Sequence, residues 1–600
     1  MPDLLPHDQG RRTSATVLFV RIMAVILLCA AVYMMRVSTM SFETLKAVAG
    51  SSIPAGYLDR FTPALYSKIV MALRALGFVL VLVGLALLRF AEAIRRVLKR
   101  WLQEDLAGQW RALGGALGSL KSDPLHLAAL AAILLWAVWL RYTFLGEPIR
   151  KDEAYSFLYY GSRPAFVGMA YYTANNHLLN TLLMHISWLV FGTSEWAVRL
   201  PVFVTGLLMV PVTYTAVRLS RGKNAGILAM ALVSASSPLI EFSFNARGYG
   251  LGAMFLMVMV CMIEVTRRGH RSTWPYIAIA AALALYSVPT MLYGVGGAFC
   301  YMLLTDSNRR RTIYAMLLAG ALTLACYTPP VVTVGLAGIV RNKWAAPVPR
   351  EQWMPLSIQE WRSLWVYWNL DLPLVTSGLI VAGLLLVFMS RKTLLRSPAG
   401  VLLLTLLLAA CLLPVQGVVP PRRTWLFLLP LFLATAGVGL DAMLRKAGSR
   451  YSLAAVLLAA GMSGWMGAEV LRFKSLRHSG PEAFGGRSAE AVAMGMQERL
   501  AQGGQFICAD VFDSSIDFYL LKHKIRYSPK PNGELLIVTP PGLTAERTLR
   551  LASIPQDGVA SLRLIARYPE ADVYAGQRTA SLVFRPRGGV DEGIFTTIVE

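Results

Sequence analysis

Long apolar runs separated by short polar connectors dominate this chain. Windows of about 17 to 25 apolar residues, the length a helix needs to cross a bilayer, recur near 15–35, 69–88, 125–142, 198–217, 225–241, 248–265, 275–290, 291–305, 312–338, 373–390, 399–418, 424–441 and 452–470. The pattern predicts a polytopic α-helical membrane protein with about 13 transmembrane helices. The stretch 275–305 is divided at Ser287-Val288-Pro289-Thr290, because a single span there would put the basic loops 266–274 and 306–311 on opposite sides. The first run follows Arg11, Arg12 and Arg21 without a clear small-residue cleavage site, so it reads as a retained helix and not a removed signal peptide.

After Val470 the pattern changes. Short alternations over Gln505–Ala509, Glu534–Thr539, Ser561–Ile565 and Ser581–Phe584 predict strands, and Ser488–Leu500 and Ser514–Leu521 read as helices. Together they predict a small α/β domain over 471–600 that docks on or caps the membrane part without carrying chemistry. Residues 125–470 form the expected catalytic membrane domain, with long outward loops at 143–197 and 339–372. Residues 1–124 add two helices and an amphipathic stretch over 92–111, which reads as a helix on the cytoplasmic leaflet or as a solvated helix between spans.

Charge sets the orientation. The chain has 58 Lys and Arg against 34 Asp and Glu, a formal charge of +24. The basic residues cluster in the connectors 89–124, 218–224, 266–274, 306–311, 391–398 and 442–451, which is the positive-inside pattern and not a nucleic-acid surface. The connectors 36–68, 143–197, 242–247, 339–372 and 419–423 then face outward, as does everything after 470. The cysteines at 29, 261, 300, 326, 411 and 508 lack ligand-pair spacing, which argues against a disulfide framework or zinc site.

One outward loop carries the candidate chemistry. Adjacent carboxylates at a membrane boundary are costly to desolvate and need a reason to be there, and Asp152 and Glu153 follow Arg150 and Lys151 directly. Neighbouring positions on a helix diverge by about 100°, so both meet one substrate only at a helix start or in irregular backbone. Asp152 can act as a general base, or the pair can hold a divalent cation such as Mg or Mn. A solvated pair bridged to Arg150 or Lys151 is the bland alternative. Lys151, Tyr155, Asn176 and His177 are candidate substrate contacts, although Asn176 is as readily a cap for the short apolar stretch 178–191.

Arg247 and Tyr249 lie at a second outward boundary, in the run Glu241 to Tyr249. A guanidinium there can bind phosphate bidentately, can snorkel to headgroups, or can pair with Glu241. Arg422 and Arg423 run against the positive-inside pattern and suit an anionic leaving group. Tyr327 precedes Pro329-Pro330, where a helix broken at membrane depth would line a cavity; it is a weaker candidate for the same pocket. Loop 339–372 holds Trp344, Trp353, Trp361, Trp365, Tyr367 and Trp368 beside Arg341, Lys343, Arg350 and Arg362, a combination suited to stacking sugars and holding phosphate.

From about Leu125 to Val470 the chain resembles the membrane-embedded glycosyltransferases of the C superfamily, which include the aminoarabinose transferases of lipid A, the protein O-mannosyltransferases and many bacterial relatives. The features that carry this are Asp152-Glu153 in the first large outward loop, Asn176-His177 before an apolar stretch, Phe191-Gly192 leading to Arg199-Leu200-Pro201, and Ala246-Arg247-Gly248-Tyr249. The resemblance implies a polyprenyl-phosphate-linked sugar donor, a lipid, glycan or protein acceptor, Asp152 as base and basic residues around the lipid phosphate. It also implies a bacterial inner membrane, with the site and the C-terminal domain facing the periplasm. A single displacement would invert the anomeric centre. Some members use a divalent cation at the acidic pair and others do not. Here the pair follows the third span, where many relatives place it after the first, and Leu178-Leu179 stands where relatives often have prolines.

Two other function classes compete. A flippase for lipid-linked sugars predicts an inverted repeat and charged or broken elements at the midplane, and no such repeat is visible. A non-catalytic envelope assembly subunit predicts that replacing Asp152 is harmless.

Overall fold

The computed structural model describes residues 15–50, 61–100, 114, 123–268, 273–306, 308–340, 346–473, 486–508, 513–525, 528, 532–551, 559–579, 584–586 and 597–599. The chain divides into two compact units, 1–115 with 270–272 and 116–269 with 273–600.

In the first unit α1 (Ala15–Val37) packs against α3 (Pro63–Arg89), with α2 (Phe42–Gly50) between them in sequence and α4 (Ala91–Arg100) after them. The close approach depends on small residues, since a Cβ on Gly84 would stand 2.8 Å from Leu28. Thr62 caps α3 by accepting from the Leu65 N–H at 3.3 Å, and Pro63 follows in the first turn, where no N–H is needed. The expected amphipathic stretch is helical to Arg100, and its remainder lies outside the described residues.

The second unit begins with α5 (Pro124–Leu145) and two short helices, α6 (Lys151–Ser156) and α7 (Ala165–Ala170). There follow α8 (Leu178–Phe191), α9 (Glu195–Arg221), α10 (Lys223–Ser234), α11 (Ser237–Phe244), α12 (Tyr249–Arg267), α13 (Trp274–Ser287), α14 (Leu292–Thr305) and α15 (Arg309–Val340). The membrane part closes with α16 (Arg350–Trp368), α17 (Leu374–Phe388), α18 (Pro398–Gln416), α19 (Leu428–Leu444) and α20 (Tyr451–Phe473). Helix α9 is central, packed against α5, α8, α10, α11 and α12. Helices α10 and α19 meet backbone to backbone, since a Cβ on Gly437 would lie 2.6 Å from the Ala229 nitrogen.

Among the described residues, eight helices are long and apolar enough to span a membrane, or nine if the pair α10–α11, bent by 61°, is one span. The chain is therefore a multi-pass membrane protein, but the count differs from the thirteen expected. The runs expected at 275–290, 291–305, 373–390 and 424–441 form helices of 14, 14, 15 and 17 residues, short of the roughly 20 that a bilayer needs. The division at Ser287–Thr290 is present, with Val288 extended between α13 and α14. The break expected at Tyr327–Pro330 is not. Helix α15 passes through both prolines, with the Thr328 hydroxyl on Leu324 O at 2.8 Å and Thr333 on Pro329 O at 3.2 Å, and its non-helical residue is Gly335, at φ 75°. Most of the expected loop 339–372 is the helix α16; Arg341, Lys343 and Trp344 lie outside the described residues.

The C-terminal segment comprises α21 (Gly486–Ala501), β1 (Gln505–Cys508), α22 (Asp513–Lys522), β2 (Glu534–Thr539), α23 (Ala545–Leu551), β3 (Val559–Tyr568) and β4 (Ala571–Arg578), with a small hairpin of β5 (Phe584–Pro586) and β6 (Thr597–Val599). Four strands form a sheet ordered β1-β2-β4-β3, in which β1 and β2 are parallel and the other pairs antiparallel. Its α-helical face does not end in solvent. Phe506, Leu536, Val573, Val492 and Phe518 share one apolar core with Ile149, Ala154, Phe157 and Ala246 of the membrane part. That shared core surrounds the acidic helix α6.

Candidate active site

Helix α6 organises the site. Arg150 precedes it in extended conformation, so Lys151, Asp152 and Glu153 are its first three helical residues. The helix start lets the two carboxylates leave in different directions, and their environments differ completely.

Glu153 is fully buried and its oxygens are saturated. It accepts from the Arg150 N–H at 3.0 Å, closing the first turn, and from the Ala246 N–H at 2.7 Å. Arg199 donates to it twice, Nε at 3.0 Å and Nη2 at 2.7 Å. Burial alone would raise the Glu153 pKa; the Arg199 charge and hydrogen bonds outweigh it and hold the carboxyl below its ordinary range. The rest of the Arg199 guanidinium bonds the carbonyls of Leu145 and Pro148, both at 3.0 Å, and that of Glu147. Glu153 was expected beside Asp152 as a chemical group. Four donors fill its two oxygens and tie α6 to α9 and to the α11–α12 corner.

Asp152 keeps an open edge, with 14% of its side chain exposed. It forms an ion pair with Arg247 Nη1, and Arg247 Nη2 donates to Asn175 Oδ1 at 2.9 Å. Asn175 Nδ2 lies 3.4 Å from the other Asp152 oxygen and completes a ring of three side chains. Arg247 is buried at the α11–α12 corner, its guanidinium 5.5 Å from the centre of the Tyr249 ring. The expected Glu241 pairing does not form. Glu241 instead accepts from Arg150 at 2.6 Å and from the Tyr367 hydroxyl at 2.7 Å, with Arg422 stacked over Tyr367 at 5.0 Å.

His177, the residue before α8, is buried with its ring 4.8 Å from that of Tyr249. Burial, then the charges of Arg247 and Arg423, push its pKa down to about 3 despite a bond to the Ser287 backbone. The ring is neutral at physiological pH. Among the described residues its Nε2 has no hydrogen-bond partner. Lys151 and Tyr155 are half-buried on α6, and Tyr155 stacks on Tyr159 at 4.4 Å.

Three expected contacts are placed otherwise. Asn176 spends its side chain on its own loop, donating to Gly168 O at 2.6 Å and Tyr171 O at 2.5 Å and accepting from Thr181 at 2.8 Å. Tyr327 gives its hydroxyl to Leu285 O at 3.0 Å and packs with Tyr172 and Tyr286. Arg362 is exposed on α16. The structure thus brings together Asp152, Arg247 and Asn175, with the Arg247 guanidinium and the His177 ring both against Tyr249, and the charge of Arg423 reaches His177. Sequence reasoning named Arg199 within the Arg199-Leu200-Pro201 motif and gave it no role of its own. A cation inside an apolar run needs a buried partner, and that signal was available.

A divalent cation needs several oxygen ligands with lone pairs to give. Glu153 has none left, and among the described residues no three His, Cys, Asp or Glu side chains converge. The acidic pair in this arrangement does not fit Mg or Mn.

The family model described as dolichyl-phosphate-mannose-protein mannosyltransferase matches residues 178–332. Among solved structures, ArnT from Cupriavidus metallidurans in the apo state is similar at a TM-score of 0.52 and 14% identity, over 75% of this chain and 98% of that one. ArnT bound to undecaprenyl phosphate is similar at 0.48, with the same identity and coverage. The archaeal oligosaccharyltransferase AglB from Archaeoglobus fulgidus, in complex with an inhibitory peptide and a dolichol-phosphate, follows at 0.43 and 12%, over 70% of each chain. No curated protein matches significantly in sequence. In the segment that the family model matches, and in the fold it shares with apo ArnT, the chain resembles the membrane glycosyltransferases of the C superfamily.

Proposed function

We propose that this protein transfers a sugar from a polyprenyl-phosphate-linked donor to an acceptor hydroxyl on a lipid, glycan or protein, at the outward face of the membrane. The observation that carries the reading is the Asp152–Arg247 pair: a carboxylate with an open edge, held by a guanidinium that can also bind phosphate. Asp152, paired with Arg247, is placed to act as the base, and a donor phosphate competes with it for the Arg247 guanidinium.

The acceptor oxygen forms its bond to the anomeric carbon while the bond from that carbon to the phosphate oxygen breaks. The electron pair leaves with the lipid phosphate, where Arg247 and Arg423 stabilise it, and the acceptor proton passes to Asp152. One displacement inverts the anomeric centre. Neutral His177 adds no charge and offers Nε2 to a substrate hydroxyl. The basic connectors support a site on the outward face, the resemblance implies a bacterial inner membrane with that face toward the periplasm, and the donor in the family model's description is of the same polyprenyl-phosphate class.

The test compares wild type with Asp152→Asn in detergent, using pooled native polyprenyl-phosphate sugars and a membrane extract as acceptor. Transfer should fall by at least about 10²-fold, the lower range for a lost general base, with donor binding kept. Equal transfer by both proteins removes Asp152 from the chemistry. Tight donor binding without transfer by wild type favours carriage of the lipid-linked sugar over its transfer.

A further inference from the structure

Five residues before α6, from Gly146 to Arg150, belong to no helix or sheet, yet Ile149 is fully buried. Buried backbone groups need partners, and those of Ile149 find them on α22, some 370 positions further along. The Ile149 N–H donates to the Tyr519 hydroxyl at 3.1 Å, and the Ser515 hydroxyl donates to the Ile149 carbonyl at 3.4 Å. On the next turn, the Phe518 ring meets Phe157, just past α6, edge to face at 5.6 Å. The end of α22 reaches the other half of the lock: Lys522 Nζ lies 2.8 Å from Glu195, in the first turn of α9 and four residues ahead of Arg199.

We infer that α22 of the C-terminal segment is a positioning element of the active site, setting the placement of Asp152 through the backbone of Ile149 and through the Glu195 end of the Glu153–Arg199 anchor. This rests on the reading of Asp152 as the base. Tyr519, Ser515 and Phe518 are fully buried. They act by fixing where α6 begins. A reacting group displaced by about 1 Å loses on the order of 10²-fold in rate, so a small movement of the helix start is costly. The segment is therefore not a passive cap, because one ten-residue helix holds both of the elements that carry the anchor.

The experiment uses the full chain in detergent as wild type, Tyr519→Phe, Lys522→Met and Asp152→Asn, with pooled native polyprenyl-phosphate sugars and membrane extract as the probe. Tyr519→Phe keeps the ring and removes only the oxygen that receives the Ile149 N–H. It should lower kcat about 5- to 10-fold, the range of one net hydrogen bond, while donor KM stays within about 2-fold. Hydrogen exchange at the amides of 149–156 should rise at least about 5-fold in Tyr519→Phe, the loss of one such bond, and rise also in Lys522→Met, with exchange in β2 unchanged. Unchanged exchange at 149–156 in both variants overturns the inference whether or not the protein transfers sugar. Increased exchange with unaltered kcat overturns the positioning role. Inactive wild type, or an Asp152→Asn protein as active as wild type, defeats the proposed function, while the exchange result still decides whether α22 holds α6.

Discussion

Glu153→Gln separates an anchor from a catalyst. The substitution keeps the volume of the side chain and removes its charge. It also turns one oxygen into an NH2 group that must face N–H donors, because all four neighbours of Glu153 are donors. Arg199 is left as a fully buried cation with no counter-charge, its acceptors reduced to the one remaining side-chain oxygen and backbone carbonyls. Breaking a buried ion pair from one side costs about 3–5 kcal/mol, a large share of the 5–15 kcal/mol by which domains are typically stable. Replacing both partners, as in Glu153→Leu with Arg199→Met, removes the stranded charge. It still strands the Arg150 and Ala246 N–H groups at about 1–3 kcal/mol each, so the double variant should cost less than the two single changes summed. Thermal unfolding in detergent, followed by tryptophan fluorescence, measures this. Glu153→Gln should melt well below wild type and below Asp152→Asn, whose lost carboxylate is partly exposed and whose transfer should be lost. A Glu153→Gln protein that melts like wild type yet transfers nothing would refute the reasoning and restore Glu153 to the chemistry.

Two further outcomes follow from the same geometry. Arg247→Lys keeps the charge but loses the planar fork; donor KM should rise by roughly 10- to 100-fold, the equivalent of about 1.5–3 kcal/mol for a hydrogen bond to a charged group, and an unchanged KM removes Arg247 from the phosphate site. His177 has a folded pKa of about 3 against an ordinary 6.5, so between those values the unfolded chain binds a proton that the folded chain does not, and stability falls as pH drops below 6.5. His177→Gln should flatten the fall in melting temperature between pH 7 and pH 5, and parallel slopes in the two proteins would contradict the neutral buried ring.

The order of the chain carried much of this protein. Runs of apolar residues with basic connectors give a multi-pass membrane protein, because bilayer thickness and charge cost act on local composition. Polar residues stranded at outward boundaries marked Asp152, His177, Arg247 and Arg423; in the structure Asp152 pairs with Arg247, and His177 packs on Tyr249, over which the Arg247 guanidinium also lies. Residues 505–508 and 534–539 alternate as strands and are strands, whereas β4 and the helix Ala545–Leu551 escaped notice. Helix ends were less legible: two adjacent prolines looked like the break in α15, but nearby threonine hydroxyls sit on carbonyls either side of them and the chain breaks at Gly335 instead.

What the order of residues left open is which acid meets which arginine. Asp152 meets Arg247 across 95 positions, Glu153 meets Arg199 across 46, and Arg150 meets Glu241 across 91. Nothing local selects these pairs over Asp152 with Lys151 or Glu241 with Arg247. The packing of α9, α11 and α12 around α6 decides them, by bringing these partners within hydrogen-bond reach in a buried interior. The same packing gave two neighbouring carboxylates opposite roles, one sealed by four donors and one left with an open edge. It also brought Tyr519 to Ile149, a contact with no periodicity to announce it. Propensity and hydropathy act over a few residues, and the site is assembled by contacts that span hundreds.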